Sequence, residues 1–172
     1  MNKPVGGQQA HTMSTDTVLL NDRTQISELL SRYCGAIDDK CISITLVAAT
    51  FLPDGSYVAP NGVAIVGLEA IATRLTTSFS RFRATHHVTS DHIIDFDGNT
   101  ARLRANMTAM HLWSEEESDS RSLQTHFVAG GVFEAVAVRA TDGWRFSQLA
   151  ARITWRTGAG LPMLARMGSS SD

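Results

Sequence analysis

Only two of the 172 residues are cysteine, Cys34 and Cys41, and neither belongs to a CxxC pair, which excludes a zinc ribbon or a disulfide framework. Neither is needed, because a chain of this length buries roughly 70% of its unfolded surface without staples. No run approaches the roughly 20 apolar residues of a membrane helix, and the opening MNKPVGGQQAHTMSTD lacks the apolar centre of a signal peptide. Charge is balanced, with Lys+Arg 15 against Asp+Glu 17 and no basic cluster, so the electrostatic footprint of a nucleic-acid binder is missing. Gly-rich phosphate loops, a nucleophile elbow and HExxH are missing too, leaving nucleotide, dinucleotide and serine-hydrolase chemistry without support. What remains is one domain, 43% hydrophobic, expected in a reducing cytoplasm with a small neutral or apolar partner, no nucleic acid and no membrane.

Residues 1–17 carry Gly, Gln, Thr and Ser without periodicity and read as a disordered leader, with Met13-Ser14 a candidate natural start. Ile26, Leu29, Leu30, Tyr33, Cys34 and Ile37 then recur at helical steps and predict a helix over about 22–37, capped by Asn21. A short helix is expected over 42–51, stopped by Pro53-Asp54-Gly55, followed by strand pieces at 56–59 and 63–66. Gly67 opens a third helix, with Leu68, Ile71, Ala72, Leu75 and Phe79 on one face. From about Thr85 to Arg156 the pattern is strand, with turns at Asp97-Gly98-Asn99, in the acidic stretch 114–120, and at Asp142-Gly143. Alternation places Ala101, Leu103, Ala105, Met107, Ala109, His111 and Trp113 on one face, and Arg102, Arg104, Asn106 and Thr108 on the other. Gly130-Gly131 inside a strand predicts a bulge that curls the sheet. Helices first and a meander afterwards make an α+β domain over 18–158, and 159–172 read as a loose tail or a clasp on a neighbouring subunit.

Asp38 lies four residues after Cys34 on the flank of the first apolar stripe, where it reads either as a functional carboxylate or, with Asp39, as a loop former beyond a helix end. His86, His87, His92, His111 and His126 crowd the strand region, yet neither HxH nor HExxH spacing nor a carboxylate at a matching step points to a metal. His111 shares a face with Leu103, Met107 and Trp113, so its imidazole points to the interior and needs a polar partner or a task. Tyr33 offers a phenol to the same interior or serves as a core tyrosine. Arg152 and Arg156 share a parity with Phe146 and Ala150, and at least one of them reads as a surface arginine.

The ordered segments AIDDK, ATFLPDGSY, GLEAI, THHVTSDHIIDFDGNTA, FVAGGVFEA and DGWRFSQLAARITWRTG make residues 20–158 resemble the SnoaL-like branch of the nuclear transport factor 2-like superfamily. The resemblance implies a cone-shaped α+β barrel, a strongly curved antiparallel or mixed sheet wrapped around helices, with an apolar pocket between them. Similar catalytic patterns occur in scytalone dehydratase, bile-acid 7α-dehydratase and hexachlorocyclohexane dehydrochlorinase, whose pockets hold an Asp–His dyad. By that resemblance the aspartate falls on Asp38, and the histidine on His87 counted from Phe96 or His86 counted from Asp38. Tyr33 matches a catalytic tyrosine or lysine position, and His111 a second pocket histidine. Met107, Trp113, Phe133 and Arg152 are expected to contact substrate. The dehydrochlorinase's last-strand arginine corresponds to Leu149, which disfavours dehalogenation. The implied activity is a lyase that eliminates water or another leaving group from a small cyclic apolar molecule, without metal or organic cofactor. An isomerase or polyketide cyclase, and a noncatalytic binding or dioxygenase-accessory module, remain open because the fold names no reaction. A homo-oligomer, dimer or trimer, is expected, with Arg102, Arg104 and Asn106 facing either water or another copy.

Overall fold

The computed structural model describes residues 14–114, 123 and 126–165. Its first helix, α1 (Thr15–Asp38), begins where the Ser14 hydroxyl accepts the Thr17 backbone N–H, which satisfies one of the orphan donors of a helix start. Ile26, Leu30, Tyr33, Cys34 and Ile37 form its buried stripe. The helix starts well before the expected Asn21 because its first turns carry no buried stripe: Val18, Leu19 and Leu20 are exposed, so periodicity does not reveal them. Thr15–Thr17 of the expected leader are therefore helical, while the leader's residues 1–13 lie outside the described residues.

The other end of α1 is closed by two bonds, from Cys41 N–H to the Ala36 carbonyl and from Lys40 N–H to the Ile37 carbonyl. They form a Schellman-type cap in which Lys40, at φ 59°, takes the left-handed position usually given to glycine. This stop fixes Asp38 in the last turn. Helix α2 (Ile44–Thr50), capped by Ser43, leads without a turn into strand β1 (Phe51–Val58). Pro53-Asp54-Gly55 sit in a bulge within that strand, because Phe51 pairs with Phe146 and Ser56 already with Gln148. Strand β2 (Ala64–Val66) and helix α3 (Leu68–Phe79) follow, then β3 (Phe82–Asp97), β4 (Thr100–Trp113), β5 (His126–Ala140), β6 (Gly143–Thr157) and a short α4 (Leu161–Ala165).

The six strands form one sheet in the order β2-β1-β6-β5-β4-β3, antiparallel except for the parallel β1–β6 pair. The α+β class is as expected, and the sheet stays open, with β2 and β3 at its edges. Helix α1 packs across its concave face, where Ala101, Leu103, Ala105, Met107 and Ala109 of β4 are buried in one core with Ile26, Leu30 and Ile37. Burying a side chain such as Leu30 contributes roughly 1.5–3 kcal/mol.

Strand β6 departs from simple alternation twice. Phe146 and Gln148 oppose the adjacent Ala137 and Val136, and Ile153 and Trp155 oppose the adjacent Gly131 and Gly130. Ser147 and Thr154 are therefore extra residues, and each reverses which parity faces inward. Phe146 is buried, then Leu149 and Ala151, while Arg152 is exposed and Arg156 turns to the concave side. The expected bulge at Gly130-Gly131 is present, but its extra residue belongs to the neighbouring strand. The glycines admit that strand: a Cβ on Gly131 would lie 2.1 Å from the Arg152 carbonyl oxygen, and one on Gly130 2.1 Å from the Trp155 ring.

At the far end of α1, buried Asp22 accepts both arms of Arg139 and the Trp144 indole N–H, tying the helix to the β5–β6 hairpin. The Arg139 guanidinium holds the Asp22 carboxyl below its usual range, against the opposing effect of burial. The C-terminal segment is not loose as far as Ala165. Gly160 donates to the His126 carbonyl at 2.7 Å, and Leu161 and Leu164 of α4 pack against Phe82, Trp113, Phe127 and Ala129. Residues 166–172 of the expected tail lie outside the described residues, as does most of the acidic stretch. Among the described residues no helix is long and apolar enough to cross a membrane.

Gly131→Ala is expected to cost about 1–3 kcal/mol, because its methyl meets backbone rather than a side chain that can swing away. Denaturant titration checks this, and an unchanged midpoint would refute the packing argument.

Candidate functional site

The site begins with Asp38, delivered by the last turn of α1 to the opening of β3. Thr85 and His87, two residues apart on that strand, share the inward face. The Thr85 hydroxyl donates to Asp38 Oδ1 at 2.8 Å, the His87 backbone N–H donates to Oδ2 at 2.7 Å, and His87 Nδ1 lies 2.7 Å from Oδ1. Burial opposes charge on Asp38, but the hydrogen bonds from the His87 ring and backbone, its ring charge and the Thr85 hydroxyl prevail and hold the carboxyl at about 2. An ionised carboxylate only accepts, so Nδ1 carries the proton and donates. Nε2 is left for the cavity.

His87 is almost enclosed, its side chain 5% exposed, and Phe79 meets its ring edge-on at 5.8 Å. His111 stands 5.6 Å away between ring centroids. It is buried, stacked on Phe127 at 4.5 Å and 5°, with Phe82 at 4.8 Å. Burial and the neighbouring His87 push its pKa down to about 3, so it is neutral at pH 7. Its Nδ1 is buried with no hydrogen-bond partner.

These rings line a cavity of about 160 Å³, similar to the roughly 150 Å³ of an engineered apolar cavity that admits benzene. Its walls are largely apolar: Ile37, Phe79, Met107, Ala109, Phe127, Ala129, Phe133, Ala151, Ile153 and Leu164. The polar groups are His87, His111, the phenols of Tyr33 and Tyr57, and Arg156. Tyr33 and Tyr57 both reach the cavity, and burial raises both, Tyr57 to about 12, so both phenols stay protonated. Among the described residues no three His, Cys, Asp or Glu side chains are placed to hold a metal ion.

Of the expected site residues, Asp38, His87, Tyr33, His111, Met107 and Phe133 come together here. Three do not. His86 is exposed, since alternation turns it away when His87 points inward. Trp113 is buried outside the cavity, its indole donating to the Gly160 carbonyl at 3.1 Å and its ring packed on Phe82 at 4.7 Å. Arg152 is turned outward by the extra Ser147 and reaches Glu134 on the convex side. The structure adds Tyr57, Thr85 and Arg156 to the site. Thr85 was open to inference from its two-residue step to His87, whereas Tyr57 follows an unsignalled bulge.

The sequence model of the SnoaL-like domain matches residues 18–150. No curated protein matches the chain. Among solved structures, a protein from Kribbella flavida is 27% identical, with 86% of this chain and 99% of that one covered and a TM-score of 0.73. A candidate scytalone dehydratase from Novosphingobium aromaticivorans is 23% identical over 84% and 91%, TM-score 0.70. A hexachlorocyclohexane dehydrochlorinase from Novosphingobium barchaimii is 17% identical over 84% and 94%, TM-score 0.70. The last two are similar in fold.

Folding lowers the Asp38 carboxyl from an ordinary 3.8 to about 2. The unfolded chain therefore binds this proton more readily, and the contribution to stability is complete above about pH 4 and lost as pH falls through about 2. Its size is on the order of 2 kcal/mol. Chemical denaturation between these limits should show a steeper pH slope for the wild type than for Asp38→Asn, and parallel slopes would contradict the hydrogen-bonded carboxylate.

Proposed function

Since the chain belongs to the SnoaL-like family, we propose that it is a lyase of that family which removes water from a small cyclic molecule by general-base chemistry. The observation that carries this reading is the 2.7 Å contact of His87 Nδ1 with Asp38, behind a ring whose other nitrogen faces an apolar cavity.

A neutral imidazole is a weak base toward carbon, and a carbonyl beside the reacting carbon makes the transfer feasible by delocalising the charge that is left. His87 Nε2 accepts that proton. The C–H electron pair becomes the new C=C bond as the β C–O bond breaks, and the proton returns from Nε2 to the leaving oxygen as water. Asp38 holds the ring in the required tautomer and stabilises the imidazolium, and the negative end of α1 adds to that stabilisation. General-base catalysis of this kind contributes about 10²–10⁴ in rate. The substrate oxygen needs donors that do not ionise: neutral His111 and the protonated phenols of Tyr33 and Tyr57 meet that need in a largely apolar site. Leu149 lies where the dehydrochlorinase pattern has arginine, and it is fully buried, which weighs against halide as the leaving group.

β-Hydroxycyclohexanone in deuterium oxide is a suitable probe. The wild type should form cyclohexenone, and His87→Gln and Asp38→Asn should slow this by about 10²–10⁴ with the fold intact by circular dichroism. Unchanged turnover in either variant would remove that residue from the mechanism. Deuterium uptake at the α-carbon without enone would replace elimination by isomerisation.

His111→Phe keeps the stack on Phe127 while deleting a buried, unpartnered nitrogen. It should leave stability unchanged or raise it by about 1 kcal/mol, while lowering kcat. Loss of stability with kcat retained would make His111 a packing residue.

A further inference from the structure

His87 pairs with Ala109, Ala109 with Ala129, and Ala129 with Arg156, so these four residues form one rung across the concave face of the sheet. All four line the cavity. Partnered residues in a sheet project to the same side, and three strand spacings of about 4.8 Å set the two ends roughly 14 Å apart along the sheet. Between them the methyl groups of Ala109 and Ala129 make a flat floor. One end of the rung is the nitrogen that faces the reacting carbon, and the other is a guanidinium.

Among the described residues, Arg156 alone brings a permanent charge to the cavity lining. It accepts no help from its surroundings: among the described residues no hydrogen bond or ion pair engages it, although Arg139, Arg145 and Arg152 each meet a carboxylate. Its inward direction depends on the extra residue Thr154, whose hydroxyl bonds to the Gly130 carbonyl at 3.1 Å. Without that residue Arg156 would fall on the convex face. An unpaired guanidinium at the exposed mouth of an apolar cavity presents a planar pair of donors that matches a carboxylate.

We propose that the site selects substrates bearing a carboxylate: Arg156 binds it at the mouth, the ring lies on Ala109 and Ala129, and the reacting carbon meets His87. The inference rests on the lyase reading only for the identity of the reacting end; the anion subsite is independent of turnover.

Benzoate and benzamide, planar and nearly equal in size, differ in charge and serve as probes. Titrations followed by NMR at low ionic strength should show benzoate binding the wild type at least tenfold more tightly than benzamide. Arg156→Gln should bring the two to parity, Arg156→Lys should keep part of the preference because a single charge replaces the fork, and His87→Gln should keep all of it. Equal affinities in the wild type, or a preference that survives in Arg156→Gln, would overturn the proposal. A preference lost only in Arg156→Gln, in a protein that forms no enone, would retain the carboxylate subsite and discard the lyase reading.

Discussion

The bond between Asp38 and His87 is the constraint on which the rest of this molecule turns. It links the last turn of α1 to β3, elements 49 residues apart in sequence. Three donors converge on one carboxylate: a ring N–H, a backbone N–H and a hydroxyl. The backbone donor fixes where β3 lies against the helix end, and the ring donor fixes the orientation of the imidazole. Neither could be set by packing alone, since apolar contacts are nondirectional. The helix must also stop at this point, and it does so through a cap that places Lys40 in a left-handed conformation costing on the order of 1 kcal/mol or more.

Burial then gives the site its chemical asymmetry. The same apolar wall acts on groups of opposite kind. It pushes His111 towards the neutral form, and it keeps Tyr33 and Tyr57 protonated. It opposes charge on Asp38 as well, and the three donors there outweigh it. At neutral pH the enclosed part of the cavity therefore offers uncharged donors around one charge-supported base. Such groups stabilise an oxyanion without first having to lose a proton to bulk water. The stack of His111 on Phe127 keeps its ring fixed despite the missing hydrogen bond at Nδ1.

How much of this was legible in the sequence depended on whether a strand kept its period. On β4 the two-residue alternation from Ala101 to Trp113 is unbroken, and every inward assignment there, His111 included, matches the burial of the folded chain. The α+β order of elements and the turns at Gly98 and Gly143 were equally readable. Strand β6 contains two extra residues, and each reverses the face of everything beyond it, so Arg152 and Arg156, which share a parity, lie on opposite faces. No local composition marks Ser147 or Thr154 as extra. The choice between His86 and His87 is of the same kind: one residue of register separates a solvent-facing ring from the ring that meets Asp38. Trp113 was read correctly as inward but lies beyond the cavity, because the chain after Gly158 folds back and takes its indole N–H.

The two aspartates of α1 show how the fold separates support from chemistry. Asp22, near the helix start, is fully buried and meets a guanidinium with both oxygens, with an indole as a further donor. Its partners do not change protonation in any physiological range, and the arrangement can only hold the helix to the hairpin. Asp38, near the helix end, is the partner of a group that can gain and lose a proton. Its position is electrostatically poor for a carboxylate, because the negative end of the helix is adjacent. The unfavourable placement of the acid, the left-handed Lys40 and the unpartnered nitrogen of His111 all lie within one region around the cavity. The opposite end of α1 shows none of these features. A poorly placed acid beside an unpartnered nitrogen, with satisfied polar groups at the other end of the helix, is the distribution expected when local stability is given up for a site that must respond to a ligand.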